Sequence, residues 1–257
     1  MGRILGFMGK GAQTWAQVLS AECDTITRIE MNSQKAAWGI AFYQGDEILH
    51  KKRPEASTED LDWRDLAADV KSECLLAQVR VPYSENFRIE NTQPFRFRRW
   101  SFAHVGNVRR LDAVHDQLQE TLPDFIKRNL RGDTDSELFF HLLLASMHGH
   151  NLLDRFDVDA FDVLTSIRQT LEGMTEVLNQ DTQSLSFVLT NGRQMFALSH
   201  GDMLAYRALV QPDNDRKPSG HVLISGPLTQ IPPGYTKLLE NTVLSVKRDL
   251  STEIHPL

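Results

Sequence analysis

The sequence predicts an α+β protein, with antiparallel strands toward both ends of the chain and two long helices between them. Three observations carry this. Short runs rich in β-branched and aromatic residues, divided by Gly, Asn and Pro turns, occupy both ends. Two segments with helical apolar spacing, Asp135–Met147 and Val158–Leu178, fill the middle. No internal repeat, low-complexity tract or linker divides the chain, so residues 1–257 are expected to form one domain. Helices packed on stacked antiparallel sheets are the layered solution that this order favours.

In chain order, an N-terminal strand precedes a first helix over Thr14–Ala21. Ala37–Tyr43 and Glu47–Lys51, joined through Gly45-Asp46, read as a β-hairpin because β-branched and aromatic residues flank a turn pair. Leu61–Cys74 has helical spacing, and Leu75–Val81 is a short apolar strand ending near Arg80. Trp100–Val105 is another strand. Thr134 and Asp135 supply N-cap oxygens to the helix Asp135–Met147, and Glu137 sits in its first turn. Strands are then expected at Leu185–Leu189, Met195–Leu198, Leu204–Val210, Val222–Ser225 and Val243–Lys247. Turns at Asn191-Gly192, His200-Gly201 and Pro232-Pro233-Gly234 separate them. Gln211–Gly220, rich in Pro, Asp, Asn and Lys, reads as a mobile loop. Gly6-Phe7-Met8-Gly9-Lys10-Gly11 reads as a flexible turn after the first strand, and lacks the spacing of a phosphate-cradling loop.

Composition narrows function only loosely. A hydrophobic fraction of 41% with 24% charged residues is ordinary for a globular protein, and 257 residues can bury a sizeable core. A net charge of −6 argues against a nucleic-acid surface. No apolar run approaches the ~20 residues of a membrane-spanning helix, and Gly6, Gly9 and Lys10 break the opening stretch that a signal peptide needs. Gly6 also stands where a myristoylation motif wants Ser or Thr. Cys23 and Cys74 make no disulfide framework, so a cytoplasmic location is expected.

Several blocks recur in a meaningful order: Met1-Gly2-Arg3-Ile4-Leu5-Gly6, Trp38-Gly39-Ile40-Ala41-Phe42, Arg80, Asn91-Thr92-Gln93-Pro94-Phe95, His104-Val105-Gly106-Asn107 and Gly132-Asp133-Thr134-Asp135-Ser136-Glu137. At these spacings the chain resembles the class II glutamine amidotransferases, N-terminal-nucleophile enzymes that begin Met-Cys and release ammonia from glutamine. The resemblance spans nearly the whole chain; the motifs lie in its N-terminal half, and the later strands match in texture only. It implies a four-layer αββα sandwich, with no cofactor and no metal.

The resemblance also assigns roles. In the family the cysteine thiol attacks the amide and its free α-amine, exposed once Met1 is removed, acts as base. Gly2 stands at that place and offers no nucleophile. An arginine matching Arg80 grips the α-carboxylate of glutamine, as a planar guanidinium suits a carboxylate. An aspartate matching Asp135 takes the α-ammonium. Read alone, Arg80 is an exposed strand residue and Asp135 a helix cap. The family's His-Asn-Gly supplies an oxyanion site from the Asn amide and a glycine N–H; here it reads His104-Val105-Gly106, so Val105 replaces the side-chain donor and Gly106 retains the backbone one. Gln78 and Gln93 stand where histidines are usual, and Ala37 where glycine is. Trp38 and Asn91 remain and are placed with the substrate contacts.

The expected protein is therefore a catalytically degenerate relative. It would keep a cleft for an amino-acid or γ-glutamyl ligand between Arg80 and Asp135, or serve a partner enzyme as a non-catalytic subunit. The alternatives are an active amidohydrolase with a non-standard nucleophile, such as water activated by the Gly2 amine, and a purely structural interaction protein. Three competing signals carry plainer readings. His141, His148 and His150 could be presented as metal ligands, but a His–Gly helix stop explains the last two. Arg96-Phe97-Arg98-Arg99-Trp100, with Arg109-Arg110 nearby, mixes bases and aromatics as nucleic-acid binders do, yet strand alternation explains it too. Cys23 and Cys74 have no adjacent histidine motif to activate them.

Overall fold

The computed structural model describes residues 2–29, 35–57, 61–80, 87–107, 111–178, 184–210 and 220–257. The chain opens with β1 (Gly2–Thr14), α1 (Trp15–Ser20), α2 (Asp24–Thr27) and β2 (Arg28–Ile29). The hairpin β3 (Lys35–Gln44) and β4 (Glu47–Ser57) follows, then β5 (Leu61–Asp62), α3 (Trp63–Leu66) and β6 (Lys71–Arg80). A second hairpin, β7 (Phe95–Phe97) and β8 (Trp100–Asn107), leads into α4 (Leu111–Glu120), α5 (Asp124–Lys127), α6 (Asp135–Gly149) and α7 (Ala160–Leu178). The remaining strands are β9 (Ser184–Thr190), β10 (Gln194–Ser199), β11 (Ala205–Val210), β12 (Gly220–Gly226), β13 (Thr236–Lys237), β14 (Thr242–Lys247) and β15 (Thr252–Pro256).

The strands build two antiparallel sheets. One has the order β13-β11-β12-β1-β6-β3-β4, the other β15-β14-β10-β9-β8-β7, and β2 pairs with β5 apart from both. Alternation along β1 explains the stacking. Ile4 and Met8 point into a core between the sheets with Leu76, Val105, Val188 and Met195. Leu5 and Phe7 point the other way, into a core with Trp15, Trp38 and Trp63 on the side of α1 and α3. The second sheet likewise sends Phe102, Phe187 and Phe196 outward onto Phe139, Phe140 and Leu143 of α6 and Ile167 of α7. Three cores between four layers make the αββα sandwich.

Most expected elements stand within a few residues of their places. Leu61–Cys74 does not: only Trp63–Leu66 is helical, and the chain is already extended at Lys71. β6 lies between β1 and β3 and is buried on both faces. Such a strand shows a continuous apolar run that periodicity cannot tell from a helix. The expected turn at Gly6–Gly11 is also corrected. β1 runs through it, with a register irregularity against β6 between Met8 and Gln13 and a left-handed Gly11 at φ 75°. α6 ends by a different residue from the one expected. Gly149 is still helical, and Asn151 takes the left-handed conformation at φ 56°. Leu152 N–H then donates to Met147 C=O at 3.0 Å and Asn151 N–H to His148 C=O at 2.9 Å, the paired bonds of a Schellman stop. Of the expected loop Gln211–Gly220, residues 211–219 lie outside the described residues.

Candidate functional site

The register of the first sheet assembles the site. Gly2 of β1 pairs with Arg80 of β6, and Arg80 pairs in turn with Ala37 of β3. One row along, Ile4 pairs with Gln78, and Gln78 with Gly39. Since Ile4 and Leu76 face the second sheet, Gly2, Gln78 and Arg80 face it too. The start of β1 and the arginine thus sit side by side at one end of the space between the sheets. A Cβ at Gly2 would lie 2.8 Å from the Val79 carbonyl oxygen, 3.3 Å from Gln78 Nε2 and 3.5 Å from Arg80 Cβ.

Asp135 reaches this place from the first turn of α6. Thr134 caps the helix by accepting the Glu137 N–H at 3.2 Å. Glu137 accepts the N–H groups of Arg131 (3.0 Å) and Gly132 (2.6 Å), which closes the loop before the helix. Arg80 is largely buried, and burial lowers its affinity for the proton, while the Asp135 and Asp133 carboxylates act the other way. Its Nε is buried without a hydrogen-bond partner. An arginine with a donor still unspent has the geometry to bond a carboxylate. Asp135 Oδ1 accepts from Ser136 N–H at 2.7 Å and from Ser136 Oγ at 3.2 Å, which fixes its rotamer.

His104 ties the two sheets at the same end. Its backbone N–H donates to Gln93 Oε1 at 2.6 Å, its carbonyl accepts from Gln78 Nε2 at 3.5 Å, and its Nδ1 lies 2.9 Å from Ser136 Oγ. Burial pushes its pKa down, with Asp135 the strongest opposing influence, so the ring is held neutral. The two glutamines thus hold the backbone on either side of His104. Val105 is turned the opposite way from the His104 ring, into the apolar inter-sheet core. Gly106 has φ 124°, and a Cβ there would lie 2.2 Å from the Ser184 carbonyl oxygen, so a side chain is excluded on two counts.

The structure brings Gly2, Arg80, Asp135 and the His104-Val105-Gly106 strand to one end of the sandwich, sets Asn91 against the loop before Asp135, and turns Trp38 away from Arg80. Trp38 pairs with Val79 but points to the outer core with Trp15 and Trp63, on the face away from Arg80. Strand parity dictates this, because Trp38 lies one residue from Ala37 and Gly39. Asn91 is a scaffold residue by its bonds: Nδ2 donates to Asp133 Oδ1 at 2.7 Å and Oδ1 accepts the Asp133 N–H at 3.1 Å. Its amide secures the loop that carries Asp135. Gly39 is required for space, since a Cβ there would lie 2.2 Å from the Gln93 carbonyl oxygen.

Lys52 escaped the sequence reading. It pairs with Gly39 from β4, its Nζ lies 5.8 Å from the Phe95 ring centre, and burial lowers its pKa to about 8 against the pull of Glu137 and Glu90. Hairpin register alone, with Lys52 opposite a glycine of the motif strand, was the available signal. The competing clusters disperse. His141 Nδ1 bonds the Glu137 carbonyl oxygen at 2.8 Å, His148 packs on Phe125, and His150 Nε2 meets Gln169 at 3.2 Å. Among the described residues no group of three or more His, Cys, Asp or Glu is placed to hold a metal ion. Arg96 donates to the Ile48 carbonyl oxygen at 3.0 Å while Phe97 is buried, as alternation expects, and Arg98 pairs with Asp154. Arg109 and Arg110 lie outside the described residues.

Comparison with known proteins agrees with this architecture. The most similar solved structures include a glutamine aminotransferase class-II domain protein from Silicibacter pomeroyi. It superposes with a TM-score of 0.64 over 99% of this chain and 98% of that one, at 20% identity, and so shares the fold. The sequence pattern of the class II glutamine amidotransferases matches residues 5–212, and the chain belongs to that family. A Haemophilus influenzae protein assigned as a glutamine amidotransferase is 23% identical over 198 residues, 70% of this chain and 62% of that protein. The Saccharomyces cerevisiae protein DUG3, assigned likewise, is 24% identical over 163 residues, 57% of this chain and 46% of its own length. The chain thus spans less than two thirds of either relative. Among the described residues no helix is long and apolar enough to cross a membrane.

Proposed function

We propose that this chain is a catalytically degenerate class II glutamine amidotransferase, formed as one domain over residues 1–257. In this reading it keeps a cleft for an amino-acid or γ-glutamyl ligand, or presents that cleft as the non-catalytic subunit of a partner enzyme. The observation that carries it is the pairing of Gly2 with Arg80, beside the α6 terminus that bears Asp135. The charged groups suited to an amino acid's two ends are retained, and the position expected for the nucleophile has no side chain. Neither cysteine replaces it. Cys74 is buried between the sheets, where burial pushes its thiol up to about 12, far from the nucleophilic thiolate. Cys23 is exposed at the start of α2, on the opposite side of the first sheet from Arg80.

Thermal-shift and calorimetric titration with glutamine, glutamate and γ-glutamyl dipeptides tests the reading. A ligand that raises the melting temperature of the wild type and loses that effect in Arg80→Ala supports it. Absence of any shift would favour a purely structural role. Ammonia release from glutamine by the wild type, abolished in Arg80→Ala, would instead favour an active amidohydrolase.

A further inference from the structure

Among the described residues the second sheet ends on an edge strand with one neighbour, β15, with the sequence Thr252-Glu253-Ile254-His255-Pro256. Its inner neighbour fixes which backbone groups face out. Leu257 N–H donates to the Asn241 carbonyl oxygen at 2.9 Å, and Lys247 N–H donates to that of Ser251 at 3.0 Å. Antiparallel ladders alternate with a period of two, so Glu253 and His255 also turn their backbone groups toward β14. Thr252, Ile254 and Pro256 turn theirs outward. The side chains flank this edge on both faces. Glu253 and His255 line a hollow of about 290 Å³ with Lys247 and Phe161 of α7. Ile254 points to the other face, opposite Leu244. Phe161 is 69% exposed and Ile254 47% exposed.

We propose that this edge joins a second copy of the chain, β15 to antiparallel β15, about a two-fold axis through Ile254. Self-complementarity selects the occupant and the register. With the axis at Ile254, its N–H and C=O exchange two hydrogen bonds with those of the second copy, and each Thr252 N–H meets a Pro256 carbonyl. Pro256 often guards an edge because it cannot donate, but this register asks it for an acceptor. Glu253, which already meets Lys247 at 3.5 Å and His255 at 3.7 Å within its own chain, then also lies opposite His255 of the second copy, twice, as a complementary cross-strand pair. Moving the axis to Glu253 sets two carboxylates face to face. Moving it to His255 sets two imidazoles together and leaves the Ile254 carbonyl opposite a proline nitrogen. An isologous contact of this kind is the commonest way in which identical chains associate.

The contact is short, so a dimer that forms with rising concentration is expected. Sedimentation velocity of the full chain, from about 1 to about 500 µM, covers the affinities that a small interface supports. The wild type should shift from monomer toward dimer across that range. Ile254→Pro removes an outward N–H and no ladder bond to β14, so the variant should keep the wild-type circular dichroism and stay monomeric. Glu253→Lys and His255→Glu should each weaken the dimer roughly tenfold, since each change falls twice at the interface. The double variant Glu253→Lys/His255→Glu should recover it. A wild type that stays monomeric throughout, or a dimer indifferent to Ile254→Pro or to the charge exchange, would overturn the proposal.

Discussion

Gly2 and Val105 are single residues on facing sheets, and each can be restored by one substitution. Restoring a sulfur at Gly2 is not a free change, because the new Cβ would press on the Val79 carbonyl at 2.8 Å and on Gln78 Nε2 at 3.3 Å. The strand end must shift slightly to admit it. On the proposed reading Val105 is a second lesion: it adds a methyl-bearing side chain to the apolar core at the position proposed for an amide donor. Loss of one oxyanion donor costs roughly 10²–10³ in rate, whereas loss of the nucleophile costs on the order of 10⁶. Gly2→Cys alone should therefore release little ammonia from glutamine, and Gly2→Cys with Val105→Asn should release measurably more. Val105→Asn should also lower stability by about 1–3 kcal/mol, since it puts an amide among Ile4 and its neighbours. A coupled ammonia assay and thermal melts read both effects. Full activity from the single change would show that Gly106 and the backbone suffice.

At the element scale, the N-terminus of α6 is the part whose placement makes a site. The loop before it is held by Asn91 on one side and by the Glu137 carboxylate on the other. Asn91→Ala leaves the Asp133 N–H without its acceptor and should cost about 1–3 kcal/mol of stability. Ligand affinity should fall as well, because Asp135 loses its fixed position. Denaturant titration and calorimetry separate the two; a loss of stability with unchanged affinity would show that Asp135 is held by α6 alone. These elements were unequally legible in the sequence. α6 showed itself through its cap and apolar spacing, and the β3–β4 hairpin through Gly45-Asp46. β6 was partly misread, because a strand buried on both faces has no alternation to display. α4 went unread, being a mostly polar segment that sends Val114 and Leu118 to the core. β15 went unread because an edge strand of mixed composition carries almost no pattern. Among the site residues, Arg80 and Asp135 were legible through motif order. The outward face of Trp38 and the scaffold role of Asn91 depended on strand parity and on a loop contact, which no local pattern encodes.

At the scale of the whole molecule, buried histidines couple the sandwich to pH. His104 and His141 are each 2% exposed, and burial lowers the pKa of both. His104 sits where β8 meets the N-terminus of α6, and His141 on α6 packs edge-on against Phe97 and Phe140. Both lie under the helical layer, so charging either one acts against the same packing. The sign follows from their depressed folded-state values. Above about pH 6.5, the ordinary histidine value, both rings are neutral whether the chain is folded or not, and they place no pH dependence on stability. Below that value the unfolded chain takes up protons that the folded chain resists, so stability falls with pH down toward the folded-state values. Within this window each ring contributes at most about 1.4 kcal/mol per pH unit. The histidines leave melting temperature flat above about pH 6.5, where only Lys52, at about 8, adds a rise toward higher pH, and they make it decline below. His141→Gln, which cannot take up a proton, should lower stability at neutral pH and flatten the decline in part, with His104, His50 and His221, whose pKa values burial also lowers, supplying the rest. An unchanged slope in that variant would move the pH dependence from His141 to the other histidines that burial depresses, His50 and His221 among them. Asp69 and Asp249 have pKa values below the ordinary one through hydrogen bonds led by Lys51 and Ser251, and Asp62 does so because, against the raising effect of burial, its several bonds to Arg64 prevail. Their stabilisation is lost only as pH falls below about 4, which places the two contributions in separate parts of one titration.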